Sequence, residues 1–125
     1  MSQNILIIED DSFLRELLKK KLGSFGFGVL EAIDGDKGMK RAREDKPDLI
    51  LLDLLLPTTD GFEVLSKLKQ DEATSAIPVI ILSNLGQKED IDRCLTLGAT
   101  DYLIKAQSTP DDIVAKVITL FGKKQ

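Results

Sequence analysis

The chain has 125 residues, of which 42% are hydrophobic and 30% are charged, so we predict one folded domain with a substantial buried core. The net charge of −4 argues against direct binding of nucleic acid, because phosphate backbones are bound by basic surfaces. The sequence contains no histidine and one cysteine, Cys94, which excludes histidine-based catalysis, histidine-ligated zinc and an internal disulfide.

The apolar runs are too short for a membrane protein. None approaches the roughly 20 residues of a membrane-spanning helix. The first run, 5–8, is followed at once by acidic residues and does not have the form of a signal peptide. We therefore expect no membrane segment and, by default, a cytoplasmic location.

Short apolar runs alternate with helical patterns along the whole chain. The predicted strands are 5–8, 29–32, 49–52, 79–82 and 101–104. The second run has mixed polarity, which suggests an edge strand. Such alternation is typical of a parallel sheet with right-handed crossovers and helices on both faces.

The first two helices are delimited by caps and breakers. The first runs from about Ser12 to Phe25, with Asp11 or Ser12 as its cap. Its apolar stripe consists of Leu14, Leu17, Leu18, Leu22 and Phe25. The second helix follows the Asp34-Gly35 turn and is stopped by Pro47.

The third and fourth helices are predicted from similar signals. Asp60 opens the third helix, and Glu63 stands three residues later, which is the capping-box spacing. The fourth helix is closed by Gly98. Its apolar stripe consists of Ile91, Cys94 and Leu95.

The fifth helix has the clearest start. Thr109 is its predicted cap and Pro110 its first residue, with acidic residues in the first turn. Its apolar face consists of Ile113, Val117, Leu120 and Phe121.

Four of the strands end in residues that bind metals or handle phosphoryl groups. These residues are Glu9 and Asp10 after the first strand, Asp53 after the third, Ser83 after the fourth and Lys105 after the fifth. The carboxyl ends of parallel strands meet at one edge of the sheet, so we expect these side chains to lie together. A carboxylate can accept a phosphoryl group, and Mg²⁺ prefers oxygen ligands. The sequence therefore predicts a Mg²⁺-assisted phosphoryl acceptor.

Each residue of this group has a candidate role. Asp53 is the acceptor, and Asp10 and Asp53 are natural Mg²⁺ ligands, with Glu9 holding a metal-bound water. Lys105 can pair with Asp53 or with phosphoryl oxygens. The hydroxyl of Ser83 can donate a hydrogen bond to a phosphoryl oxygen.

Five segments carry a family resemblance. They are ILIIEDD from Ile5, DLILLDLLLP from Asp48, DGFEVL from Asp60, PVIILS ending at Ser83 and GATDYLIK ending at Lys105. Over essentially its whole length, the sequence resembles a response-regulator receiver domain of two-component signalling. The resemblance implies one receiver domain over 1–125. It also implies a flavodoxin-like, doubly wound α/β fold, with a five-stranded parallel sheet of order 2-1-3-4-5 and five helices.

The resemblance also implies a phosphorylation site. Asp53 would take its phosphoryl group from a histidine kinase or a histidine phosphotransfer protein. Glu9 and Asp10 would form the acidic pair, and Mg²⁺ would be held by Asp10, Asp53 and the backbone carbonyl of Leu55. The domain would catalyse its own modification and would not be a turnover enzyme.

A conformational switch is implied as well. Ser83 matches the switch hydroxyl, Tyr102 the switch aromatic and Lys105 the phosphate-binding lysine. Phosphorylation would repack the face formed by the fourth helix, the fifth strand and the fifth helix, and that face could also serve a homodimer.

The sequence departs from the family at the edge of this site. Ala106 stands where proline commonly follows the lysine, and a cis bond before a non-proline costs about 3 kcal/mol, so we expect a trans peptide and a differently shaped loop. Asn84 replaces a small residue. Leu55 and Leu85 flank the path of the hydrolytic water, which predicts slow self-dephosphorylation.

Three other classes of protein compete with this interpretation. A haloacid-dehalogenase-type phosphatase needs a second aspartate where Leu55 stands. A flavodoxin-like FMN carrier needs a Ser/Thr/Gly-rich loop after the first strand. A non-phosphorylated, receiver-like interaction scaffold is the main alternative. The length fits either a standalone regulator or a receiver from a larger protein, and we expect any output domain to lie outside this sequence.

Overall fold

The computed structural model describes residues 3–122, in which five strands alternate with five α-helices. The elements are β1 (Asn4–Ile8), α1 (Ser12–Ser24), β2 (Gly28–Ala32), α2 (Gly35–Asp45), β3 (Leu49–Leu52), α3 (Gly61–Gln70), β4 (Val79–Ser83), α4 (Lys88–Leu97), β5 (Asp101–Ile104) and α5 (Pro110–Gly122). All strand pairs are parallel, and the strand order is β2-β1-β3-β4-β5. The predicted fold class and topology are thus confirmed.

Helices cover both faces of the sheet. Side chains alternate across each strand, so Leu6 packs on the face of α2, α3 and α4, while Ile7 packs on the face of α1 and α5. The strands β3 and β4 are buried throughout, whereas β2 and β5 lie at the edges and are mostly half-buried. This arrangement explains the mixed polarity of the second strand.

Most predicted helix ends are confirmed by their hydrogen bonds. The side chain of Asp11 caps α1 by accepting from two backbone N–H groups. In α5, the Asp112 N–H donates to Thr109 Oγ1 at 3.0 Å, and the Thr109 N–H donates to Asp112 Oδ2 at 2.9 Å. Gly98 ends α4 in the left-handed conformation, with φ of 111°. No helix within residues 3–122 is long and apolar enough to cross a membrane.

Two predicted core positions are wrong. Phe25 is 62% exposed, because α1 ends one residue earlier and the chain turns away from the helix axis. The ring of Phe27 packs against Phe121 at that end of the sheet, with centroids 5.5 Å apart. Leu95 is 47% exposed, because α4 contacts the sheet through the neighbouring Cys94 and the next position is rotated outward.

The predicted capping box of α3 forms only in part. The Asp60 side chain accepts from the Phe62 N–H at 3.0 Å, as a cap should. Glu63 instead pairs with Lys67, one helical turn further on, at 3.3 Å. Local spacing allowed both partners for Glu63, and the ion pair at i+4 is the one that forms.

Candidate functional site

Three carboxylates converge at the carboxyl edge of the sheet. Glu9 and Asp53 directly follow the neighbouring strands β1 and β3, and the Asp53 N–H donates to the Ile8 carbonyl at 3.0 Å. Carboxylate oxygens of Glu9, Asp10 and Asp53 all lie within 4.8 Å of one another. Glu9 and Asp53 are buried, whereas Asp10 is exposed. The structure thus brings together the acidic residues that the sequence singled out.

Lys105 reaches this cluster from the edge strand β5. Its Nζ lies 2.9 Å from Asp53 Oδ2 and 2.5 Å from Glu9 Oε1. Burial works against the charged form of this lysine, but the two carboxylates outweigh it and raise its pKa above the ordinary value. The ammonium therefore stays charged and bridges the two buried acids.

The pKa of Glu9 is strongly raised in this site. Burial raises its pKa to about 7, the charge of Asp53 adds to that effect, and the contact with Lys105 offsets part of it. Its Oε2 accepts from the Asp11 N–H at 3.1 Å, and the Arg15 guanidinium donates to its backbone carbonyl at 2.8 Å. The position of Glu9 is therefore fixed through both its side chain and its backbone.

The loop after Asp53 is packed closely against the start of α3. The Leu55 N–H donates to Asp53 Oδ1 at 3.0 Å, and the Leu54 carbonyl accepts from the Gly61 N–H at 3.1 Å. A Cβ atom on Gly61 would lie 2.3 Å from the Cα of Leu54. Only glycine allows this approach, so Gly61 shapes the backbone on which Asp53 and Leu55 stand.

The two predicted switch residues lie beside the acidic cluster and share one neighbour. Ser83 is fully buried, and its Oγ accepts from the Leu85 N–H at 3.3 Å. The Tyr102 hydroxyl donates to the Leu85 carbonyl, and burial raises the pKa of this phenol to about 12. Within residues 3–122, no hydrogen bond joins Ser83 to Asp53 or Lys105. Ser83 and Tyr102 are thus connected through the loop after β4.

The loop after Lys105 has the trans geometry that the sequence led us to expect. No cis peptide bond occurs within residues 3–122, and Lys105–Gln107 forms a short 3₁₀ turn. The Ala106 N–H donates to the Oδ1 of Asn84 at 3.0 Å. Asn84 and Ala106, two positions at which we expect a departure from the family pattern, are therefore in direct contact.

Two residues that support the site were not assigned a role from the sequence. Gly61 had a signal, since a glycine directly after a helix-capping aspartate often marks a close backbone approach. Arg15 had none, because it bonds both Glu9 and Glu31 and that contact depends on how α1 packs beside β2. Such supporting contacts depend on tertiary structure.

Comparison with known proteins identifies relatives for the whole domain. The family model described as "Response regulator receiver domain" matches residues 5–118. The transcriptional regulator RpaA of Synechocystis, described as DNA-binding, is 43% identical over 119 residues, covering 95% of this chain and 49% of that protein. The phosphate regulon regulator PhoB of Escherichia coli is 39% identical over 117 residues, covering 94% and 51%. The chain thus spans about half the length of these relatives.

A solved structure of the same kind contains a metal. The Mn²⁺-bound form of response regulator Rcp1 superposes with a TM-score of 0.83 and 28% identity, covering 95% of this chain and 94% of that one. The agreement in fold extends over nearly all the described residues.

Proposed function

The chain belongs to the response regulator receiver domain family, and from that membership we propose that Asp53 is its phosphoacceptor. The observation that carries the proposal is the position of the Lys105 ammonium, within 3 Å of both Asp53 and Glu9, where three carboxylates converge. Response regulators are signalling proteins that take phosphate from histidine kinases. The donor proposed for this chain is a histidine kinase or a histidine phosphotransfer protein.

In the proposed reaction, a carboxylate oxygen of Asp53 forms a bond to the phosphorus of a phosphohistidine. The phosphorus–nitrogen bond breaks, and the imidazole leaves with its electron pair. Lys105, already paired with Asp53, would remain beside the new phosphoryl oxygens and balance their charge. The domain supplies these groups itself, so we describe it as a self-modifying protein and not as a turnover enzyme.

The donor set fits Mg²⁺, because three carboxylates face a single paired cation, Lys105, within residues 3–122. Asp10, Asp53 and the Leu55 carbonyl would hold the ion, with Glu9 holding a metal-bound water. When bound, the ion would neutralise negative charge on the phosphoryl oxygens. Arg15 fixes the backbone of Glu9, which would keep the Glu9 carboxylate in place to hold that water.

We also propose the switch through Ser83 and Tyr102. Both side chains are hydrogen-bonded to the backbone of Leu85. A Ser83 hydroxyl that turned toward a phosphoryl oxygen would therefore release the Leu85 N–H and loosen the bond between Tyr102 and the Leu85 carbonyl. The response would spread to the face formed by α4, β5 and α5, where partner proteins or a second copy would bind. The net charge of −4 favours protein partners over nucleic acid for this domain. A cytoplasmic location belongs to the same proposal and rests on the sequence.

The alternative is a receiver-like scaffold that binds partners without being phosphorylated. The test is the intact mass of the protein after incubation with Mg²⁺ and acetyl phosphate, with Asp53→Asn and Asp48→Asn compared. Asp48 precedes β3 at the opposite edge and accepts from the Asn4 N–H, so it is a matched control. One added phosphoryl group on the native protein and on Asp48→Asn, and none on Asp53→Asn, supports the proposal. No addition to the native protein supports the scaffold.

A further inference from the structure

One hydrogen bond joins the two loops on either side of the candidate site. The backbone N–H of Ala106 donates to the side-chain Oδ1 of Asn84 at 3.0 Å, across 22 positions of sequence. Asn84 directly follows Ser83, and Ala106 directly follows Lys105. The bond therefore connects the backbone that carries the candidate switch hydroxyl to the backbone that carries the site lysine.

The two partners are suited to each other chemically. A proline at position 106 would have no N–H to donate. It would also disfavour the helical backbone of the preceding residue, whereas Lys105 begins a 3₁₀ turn here. A small apolar residue at position 84 would offer no acceptor. The contact thus needs an acceptor side chain at position 84 and a residue other than proline at position 106.

We propose that Asn84 is a positioning residue for Lys105 and that its bond to Ala106 makes the Ser83 and Lys105 loops move as one unit. The bond fixes the turn from which the Lys105 side chain reaches Asp53 and Glu9. A displacement of Ser83 would then carry the Lys105–Gln107 turn with it. The functional part of this inference rests on the phosphorylation of Asp53 proposed above.

The contact itself is tested without phosphorylation, by amide hydrogen exchange of Ala106 measured by NMR. Ala106 is exposed, so its amide owes its protection to this bond. Asn84→Ala should speed the exchange about two- to tenfold, the factor that corresponds to a hydrogen bond of ordinary strength. Asn84→Asp keeps an acceptor oxygen and should restore slow exchange. The control Gln87→Ala changes a residue of the same loop that makes no capping bond and should leave it unchanged.

The positioning role is tested by the rate of Asp53 phosphorylation from acetyl phosphate in Asn84→Ala, Ala106→Pro and the double variant. Each single change should slow the reaction several-fold, and the double variant should be no slower than the slower single one, because both remove the same bond. Ala106→Gly keeps the N–H and should react faster than Ala106→Pro.

Two results would overturn the inference separately. If the Ala106 amide exchanges equally fast in Asn84→Ala and in the native protein, the hydrogen bond does not protect it, whatever the phosphorylation rates are. Multiplied effects in the double variant, or an Asn84→Ala protein that reacts as fast as the native one, would remove the positioning role. A native protein that takes no phosphoryl group would overturn the proposed function and the role of Asn84 in it, while the exchange result would still stand for the contact.

Discussion

Replacing Gly61 with alanine would test how firmly the loop that carries Asp53 is held against α3. An added Cβ would lie 2.3 Å from the Leu54 Cα, 2.6 Å from the Leu54 carbonyl oxygen and 2.8 Å from the Asp53 carbonyl oxygen. These are backbone atoms, which cannot rotate aside as a flexible side chain can. The chain must therefore shift on one side of the contact.

The size of the effect follows from that geometry. Overpacking costs about 1–3 kcal/mol, and a Cβ this close to three backbone atoms belongs at the upper end of that range. Alanine in a helix otherwise gains up to about 1 kcal/mol over glycine, which leaves a net loss of about 2 kcal/mol. For a protein of this size, a net loss of about 2 kcal/mol lowers the urea midpoint by about 1 M. Because the displaced atoms belong to Asp53 and Leu54, we also expect slower phosphorylation by acetyl phosphate.

The measurement is urea unfolding followed by circular dichroism, with Gly23→Ala as the matched control. Gly23 lies in α1, and a Cβ there would meet nothing within 4 Å, so that change should leave stability equal or raise it. If Gly61→Ala unfolds at the same urea concentration as the native protein and reacts equally fast, the close approach does not shape the site.

Three further predictions concern the acid cluster, the last helix and the phosphoryl lifetime. Burial raises the pKa of Glu9 to about 7, so the folded state keeps a proton that the unfolded state loses above about pH 4.5. The free energy of unfolding of the metal-free protein should therefore fall by on the order of 2 kcal/mol between pH 5 and pH 7. Thr109→Ala removes the bond from the Asp112 N–H and should cost about 1 kcal/mol in urea unfolding. Leu55→Asn should shorten the phosphoryl half-life, because the exposed apolar side chain beside Asp53 no longer excludes water.

Each of these predictions has a control. The Glu9→Gln protein should lose the fall in stability between pH 5 and 7, and an identical fall in that variant would assign it to another group. Gln87→Ala alters the cap position of α4, which makes no side-chain bond, so an equal loss there would contradict the role of Thr109. Leu95→Asn changes a similarly exposed leucine away from Asp53. If it shortens the phosphoryl half-life as much as Leu55→Asn does, exclusion of water by Leu55 is not the cause.

The sequence was most informative where local pattern and global topology coincide. Each strand that leads into the site is a short apolar run with a polar residue at its end, and parallel strands deliver those ends to one edge. The positions of Asp53 and Lys105 therefore followed from the pattern alone. The cap at Thr109 was equally readable, because its two hydrogen bonds lie within one turn of the chain.

The errors came from features that local spacing does not encode. Phe25 has the right helical spacing, but whether a residue at a helix end is buried depends on where the chain turns. Glu63 had two partners within reach, and spacing could not choose between them. The contact between Asn84 and Ala106 joins residues far apart in sequence, so each was visible only as an isolated departure from the family.

The position of each strand in the sheet divides the site by local stability. Strands β1 and β3 are paired on both sides and almost wholly buried, so they should require nearly global unfolding to open. Lys105 follows β5, which has one neighbour and is only half-buried. Local unfolding should therefore free the lysine far more often than it disturbs the carboxylates. The buried acids Glu9 and Asp53 form a fixed base, and the cation that pairs with them follows an edge strand, which opens more easily.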